Sequence, residues 1–366
     1  MKTIILIFAG LVLVSCSGLQ LDPIIREDQS LKIAWAKNLD PAYDSGNLPI
    51  THASPFISDN SLFIGGLDGS FSRFDLETGR LLWQVKEKAP IRTQASRFED
   101  LVLYGDLDGR LYARKIVSGE LVYAADLGSS IESQGVISRG RAFFHLRDHR
   151  LTAIDASTGK IFWTYNRSVP YATTLHRISR VLPYSGKVIV GFADGWLVAL
   201  SLEDGAKIWE SKLSRGTKFV DVDMRPLLFE GKVFCGTSDG DLHRINPNNG
   251  FIEKSITVNP SHTPLVDGRT LVVGSTFGSV YRLDFDLKRL GSKKVSPKGI
   301  SSMSHWKGGL LISTMGSKVF LVEKGTFNTY NDFNMGHDMS SVLGHVEKSS
   351  EHLAFVSARN RLYVLR

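Results

Sequence analysis

The sequence predicts an all-β fold. It should be an eight-bladed β-propeller of four-stranded antiparallel blades, closed by the N-terminal strand completing the last blade. Three observations predict it. A unit of about 40 residues recurs along the chain. Glycine is abundant, 34 of 366 residues, and falls at matching positions in that unit. No stretch beyond residue 30 carries helical periodicity.

The units run in order. Phe63-Ile-Gly-Gly-Leu-Asp-Gly69 leads through a strand to Asp75, a Thr78-Gly79 turn and Leu81-Leu-Trp83. Leu103-Tyr-Gly-Asp-Leu-Asp-Gly109 repeats it, with Ser118-Gly119 and Leu121-Val-Tyr123. A third unit has Phe143 to Arg150, Thr158-Gly159 and Ile161-Phe-Trp163. A fourth has Val190-Gly-Phe-Ala-Asp-Gly195, Asp204-Gly205 and Lys207-Ile-Trp209. A fifth has Phe234-Cys-Gly-Thr-Ser-Asp-Gly240 and Asn249-Gly250. Three degraded units follow, around Val273-Gly-Ser-Thr-Phe-Gly278, Ile312 to Ser317 and Val356-Ser-Ala-Arg-Asn360. Gly65, Gly105, His145, Gly191, Gly236, Gly274, Ser313 and Ser357 serve as equivalent markers, 38 to 46 residues apart.

Each unit has the same physics. A run such as Lys187-Val-Ile-Val190 reads as a buried strand, and an Asp-Gly pair supplies the positive φ of a tight hairpin. An alternating strand follows, as in Trp196-Leu-Val-Ala-Leu200. A second turn leads to a strand carrying Trp or Tyr. The last unit stops after three strands, at Leu362 to Arg366, while Leu31 to Asn38 is a strand with no unit of its own. Trp35 matches Trp83, Trp163 and Trp209, so this strand is the missing one. Closure of the ring removes exposed sheet edges.

Residues 1–15 read as a secretory signal peptide: Lys2, then an apolar run from Ile4 to Val14, too short to span a bilayer. Leu13-Val14-Ser15-Cys16 resembles a lipobox, which implies cleavage before Cys16 and acylation of its thiol. In the Gram-negative lipoproteins that this segment resembles, a residue other than Asp at the next position, here Ser17, implies the outer membrane, with the protein on its periplasmic face. Residues 16–30 read as a polar tether, and 31–366 as the propeller. The net charge of +7 invites nucleic acid as a partner, but export argues against it. Basic residues are spread, densest at Arg139 to Arg150 and Arg282 to Lys298, and read as solvated faces. With only Cys16 and Cys235, a disulfide scaffold and multi-thiolate metal sites are excluded. Cys235 reads as an inert core thiol, and His337 with His345 makes no metal motif.

The repeats resemble the quinoprotein-type unit. With the lipobox and the blade number, the chain resembles the BamB family of the outer-membrane β-barrel assembly machinery. That resemblance implies a scaffold without catalysis or cofactor, monomeric within a hetero-complex, which docks on the POTRA domains of the barrel subunit BamA. The family's Asp-Val-Asp-x-x-Pro segment is matched by Asp221-Val-Asp-Met-Arg-Pro226, placing Asp221 and Asp223 on its partner-binding positions. A second family loop is matched at Thr174 to Ser179. Arg177 fits the family's arginine, and His176 stands where the family has leucine, with Leu175 displaced by one residue. The alternatives are a periplasmic quinone- or ligand-dependent enzyme and a scaffold for another envelope complex. Quinone-dependent enzymes with this repeat use a bound calcium, a catalytic Asp and often an adjacent cysteine pair, and this chain has no adjacent cysteines.

Overall fold

A computed structural model describes residues 31–40, 53–169, 178–216, 218–336 and 340–366. The described chain is built from strands that assemble into eight four-stranded antiparallel sheets. Blades 1 to 7 span residues 56–86, 96–126, 136–165, 182–212, 227–257, 265–294 and 300–334. Blade 8 combines three strands within 347–365 with Ile33–Asn38, which pairs with Arg361–Leu365. The ring therefore closes as the sequence predicts. One marker shifts: Val356 pairs with Leu362 as Gly65 pairs with Phe71, so Val356 and not Ser357 holds the equivalent position. The turn of that unit has no glycine to set the alignment.

First strands of neighbouring blades lie against one another around the axis. Second strands are wholly or almost wholly buried, as Leu101–Gly105 shows, because both their faces meet other blades. Fourth strands are half exposed, as Leu121–Asp126 shows. The buried apolar residues fall into eight clusters, one between each pair of neighbours. Blades 1 and 2 meet where Phe71 stacks on Tyr104 at 3.6 Å between ring centroids. Each such fully buried side chain contributes about 1.5–3 kcal/mol. A polar trio closes this cluster. Tyr104 donates to Glu87 Oε1 at 2.7 Å, and Arg114 Nη2 meets the same oxygen at 2.8 Å.

Fourth-strand aromatics dock blades 8, 1, 2, 3 and 4 each on the next blade. Trp35, Trp83, Trp163 and Trp209 donate their indole N–H to Leu76, Ile116, Leu202 and Pro247 carbonyls at 2.8, 2.9, 3.2 and 3.0 Å. The Tyr123 hydroxyl does the same to Ala156 at 2.9 Å. Each ring lies on the glycine of the neighbour's third turn. At Gly79, whose φ is +68°, a Cβ would sit 2.6 Å from the Trp35 ring. Glycine is thus required twice over, for the left-handed turn and for the ring's approach.

Blades 5 to 7 have Lys254, Gly291 and Asn331 at the docking position, so the tie is made differently. Arg244 on the third strand of blade 5 donates to the Phe285 carbonyl at 3.1 Å, pairs with Asp286, and lies over the Phe285 ring at 4.8 Å. Arg282 in blade 6 donates to the Lys324 carbonyl and covers Phe327 at 5.3 Å. Blades 5 and 6, which lack the fourth-strand aromatic, are thus docked through a third-strand guanidinium.

Antiparallel order sorts the loops onto two faces. Turns between strands two and three share one face with the connections from each blade to the next. The Ile91 N–H bonded to the Gly66 carbonyl at 3.0 Å records this. The remaining turns lie on the opposite face.

Candidate functional site

The acidic segment 220–226 lies in the connection between blades 4 and 5, on the connection face. Backbone bonds hold it along its length. The Val222 N–H donates to Phe192 O at 3.0 Å, and Asp221 O accepts from the Ser238 N–H at 2.9 Å. Met224 O accepts from Ser179 Oγ at 2.9 Å, and Arg225 O from Thr263 Oγ1 at 3.0 Å. The segment is thus tied to blades 4 and 5 and to the connections on either side. At the start of the same connection, Ser214 donates to Asp239 Oδ2 at 2.5 Å. Burial pushes the Asp239 carboxyl up, but bonds from Ser214 and Thr237 outweigh it and hold it below the usual carboxylate range.

The structure separates the two acids. Asp221 is 0% exposed, between buried Val220 and Val222, so its side chain supports the segment from inside. Asp223 is half-buried and reaches the surface, followed by exposed Arg225. Two residues before Asp221, Phe219 is 53% exposed at φ +53°, a conformation bulky side chains rarely adopt. The surface of this rim is therefore an aromatic ring, a carboxylate and a guanidinium. That composition favours protein recognition: exposed aromatics and arginines dominate binding energy at interfaces. Arg177, His176 and Leu175 lie outside the described residues, as do Cys16 and His337.

Sequence reasoning missed Phe219 and Arg225, although both stand within four residues of the acids. It also missed the use made of His145. In blades 1, 2 and 4 the marker glycine gives room for Ile91, Ile131 and Val222 from the following connection. In blade 3 the marker is His145, 2% exposed, whose Nδ1 lies 3.0 Å from the Ser179 carbonyl. A carbonyl only accepts, so Nδ1 carries the proton. Burial pushes this imidazole down to about 4, which keeps it neutral. His145 thus holds Ser179, and Ser179 holds Met224. The two connections that flank blade 4 are joined through this pair of bonds.

Among the described residues, no group of three or more His, Cys, Asp or Glu is placed to hold a metal ion. Cys235 is fully buried, and burial pushes its thiol up, away from the reactive thiolate. The basic stretch from Arg139 to Arg150 is largely neutralised by pairs: Arg141 with Glu203, Arg147 with Glu132, and Arg150 with Asp148.

A family model described as "Outer membrane protein assembly factor BamB" matches residues 32–113 and 67–288. Outer membrane protein assembly factor BamB of Burkholderia pseudomallei is 28% identical over 238 residues, covering 62% of this chain and 61% of that protein. The protein of the same name from Escherichia coli is 25% identical over 206 residues, covering 53% and 49%. The matched region is thus about half to three fifths of the length of these two relatives. Among solved structures, BamB from Moraxella catarrhalis superimposes with a TM-score of 0.77 at 16% identity, covering 92% of this chain and 99% of that one. A quinohemoprotein alcohol dehydrogenase from Comamonas testosteroni superimposes with a TM-score of 0.71 at 11% identity, covering 92% and 76%. At these identities the two structures share the fold.

Proposed function

The chain belongs to the outer membrane protein assembly factor BamB family, and from that premise we propose that it is a scaffold of the β-barrel assembly machinery. It is held at the periplasmic face of the outer membrane by acyl chains on Cys16 and binds the POTRA domains of a BamA-like subunit. It contributes no catalytic group. Its part is to present a fixed surface on which the barrel subunit is oriented, which assists insertion of β-barrel outer-membrane proteins.

The observation that carries this reading is the rim at 219–225. Phe219, Asp223 and Arg225 stand together on a segment bonded to four neighbouring elements. Preordering of that kind lowers the entropic cost of association. The aromatic ring supplies an apolar anchor, and the two opposite charges set the register of a polypeptide partner. Pull-down of purified BamA periplasmic domains tests it. Asp223→Arg/Arg225→Glu should lower recovery at least about tenfold, equivalent to about 1.4 kcal/mol. Unchanged recovery by a folded double variant removes the rim from the interface. Failure of the wild-type chain to recover those domains removes the function itself.

A further inference from the structure

A polar cavity of about 140 Å³ opens on the connection face. Its lining includes Ser54, Arg92, Gln134, Arg180 and His345, from five different blade-to-blade connections, which can converge only near the axis of the ring. By the measure that gives one water roughly 10–15 Å³, it holds on the order of ten waters or one small solvated ion.

The charges around it do not balance. Arg180 Nη2 donates to Gln94 Oε1 at 2.7 Å, and Gln94 Nε2 donates to Glu347 Oε2 at 3.0 Å. An amide therefore stands between this guanidinium and its nearest acid. Glu132, also in the lining, is engaged by Arg147 at 2.7 Å. Arg92 has no hydrogen bond or ion pair from its side chain among the described residues, and its Nε is buried. Arg225 lies close enough to act on Arg180: burial, and then Arg225, bring Arg180 down to about 10. His345 is exposed where it lines the cavity, yet charged and buried groups surround it. Arg180 first, then burial, His262 and Arg225, push its imidazole down to about 3. Buried positive charge without a partner is costly, and guanidinium groups pair with planar or tetrahedral oxyanions through two parallel N–H bonds.

We propose that the axial cavity is a binding site for one small, multiply charged oxyanion, a phosphate or a polycarboxylate, held by Arg92 and Arg180 with the His345 edge as a third contact. The anion supplies the counter-charge that the lining lacks and links connections from opposite sides of the ring. Arg225 of the rim acts on Arg180, but neither Arg92 nor Arg180 belongs to the segment 219–225, so substitutions at those two arginines test the cavity and leave the rim residues in place. Failure of one leaves the other standing.

The test is calorimetric titration of the folded mature chain with inorganic phosphate and, separately, with citrate, followed in parallel by the His345 imidazole resonance. Saturable binding of one anion per chain, tighter than about 1 mM, with an upward shift of the His345 titration, supports the site. Phosphate alone binding identifies a phosphate site, and citrate alone a carboxylate site. Arg92→Gln removes a side chain with no partner among the described residues, so the ring should stay folded, and should weaken binding at least about tenfold. Arg180→Gln should do the same. Binding that leaves His345 unmoved, or that Arg92→Gln leaves unchanged, overturns the assignment. So does the absence of saturable binding by both anions.

Discussion

Replacement of Gly79 by alanine isolates the cost of crowding the aromatic dock that closes the ring. Two terms arise. An L-residue in the left-handed region costs about 1–2 kcal/mol. The new methyl would also sit 2.6 Å from the Trp35 ring, which must shift, and overpacking of this kind costs about 1–3 kcal/mol. The reduced freedom of the unfolded chain returns about 0.4–1 kcal/mol. Gly268 provides the control. It has φ +59° but nothing within 4 Å of an added Cβ, so it carries the strain and entropy terms without the clash. Gly79→Ala should therefore be less stable than Gly268→Ala by about 1–3 kcal/mol. Urea denaturation followed by tryptophan fluorescence, with midpoints compared at equal slope, measures the difference. Equal losses in the two variants would refute the claim that contact between the Trp35 ring and Gly79 constrains the closure.

Further outcomes follow from individual contacts. Glu87→Gln leaves Arg114, whose side chain is 12% exposed, without its counter-charge, and should cost about 3 kcal/mol by chemical denaturation. Arg244→Leu removes the guanidinium dock between blades 5 and 6 and should cost about 1–3 kcal/mol, whereas Lys254→Ala on the adjoining strand should change little; the same denaturation series checks both. His145 is neutral in the fold near pH 7 and titrates there at about 4, against 6.5 when unfolded. Its contribution is complete above pH 6.5 and is lost as pH falls, because the unfolded state takes up the proton first. At pH 5 the loss is about 2 kcal/mol. His145→Gln should flatten the fall in thermal midpoint between pH 7 and 5, and an unchanged slope would remove His145 as its source.

What was legible in the sequence was what recurs. Trp35 is recognisable as the last fourth strand because Trp83, Trp163 and Trp209 mark the same place at a fixed period. The Asp-Gly and Thr-Gly pairs are legible because a left-handed turn restricts the choice of residue. What was not legible depends on contacts between units. Arg244 and Arg282 take over the docking role from a different strand, and nothing local marks an arginine as reaching the next blade. Asp221 resembles a solvated loop acid, yet the fold encloses it between Val220 and Val222. The axial cluster was invisible for the same reason: Gln94 and Glu347 are 253 residues apart and meet only because the ring closes. Phe219 lies beside the acidic segment and Arg225 within it, but exposure cannot be read from residue type alone.

The rim at 219–225 is tested most directly by photocrosslinking. A photoreactive amino acid at Phe219 is compared with one at Val117, which is 78% exposed in a turn on the opposite face. In cells carrying the assembly machinery, the probe at 219 should give an adduct with the BamA-like barrel subunit, and the probe at 117 should give none. Adducts with that subunit from 117 and not from 219 would place the interface on the other face and contradict the account.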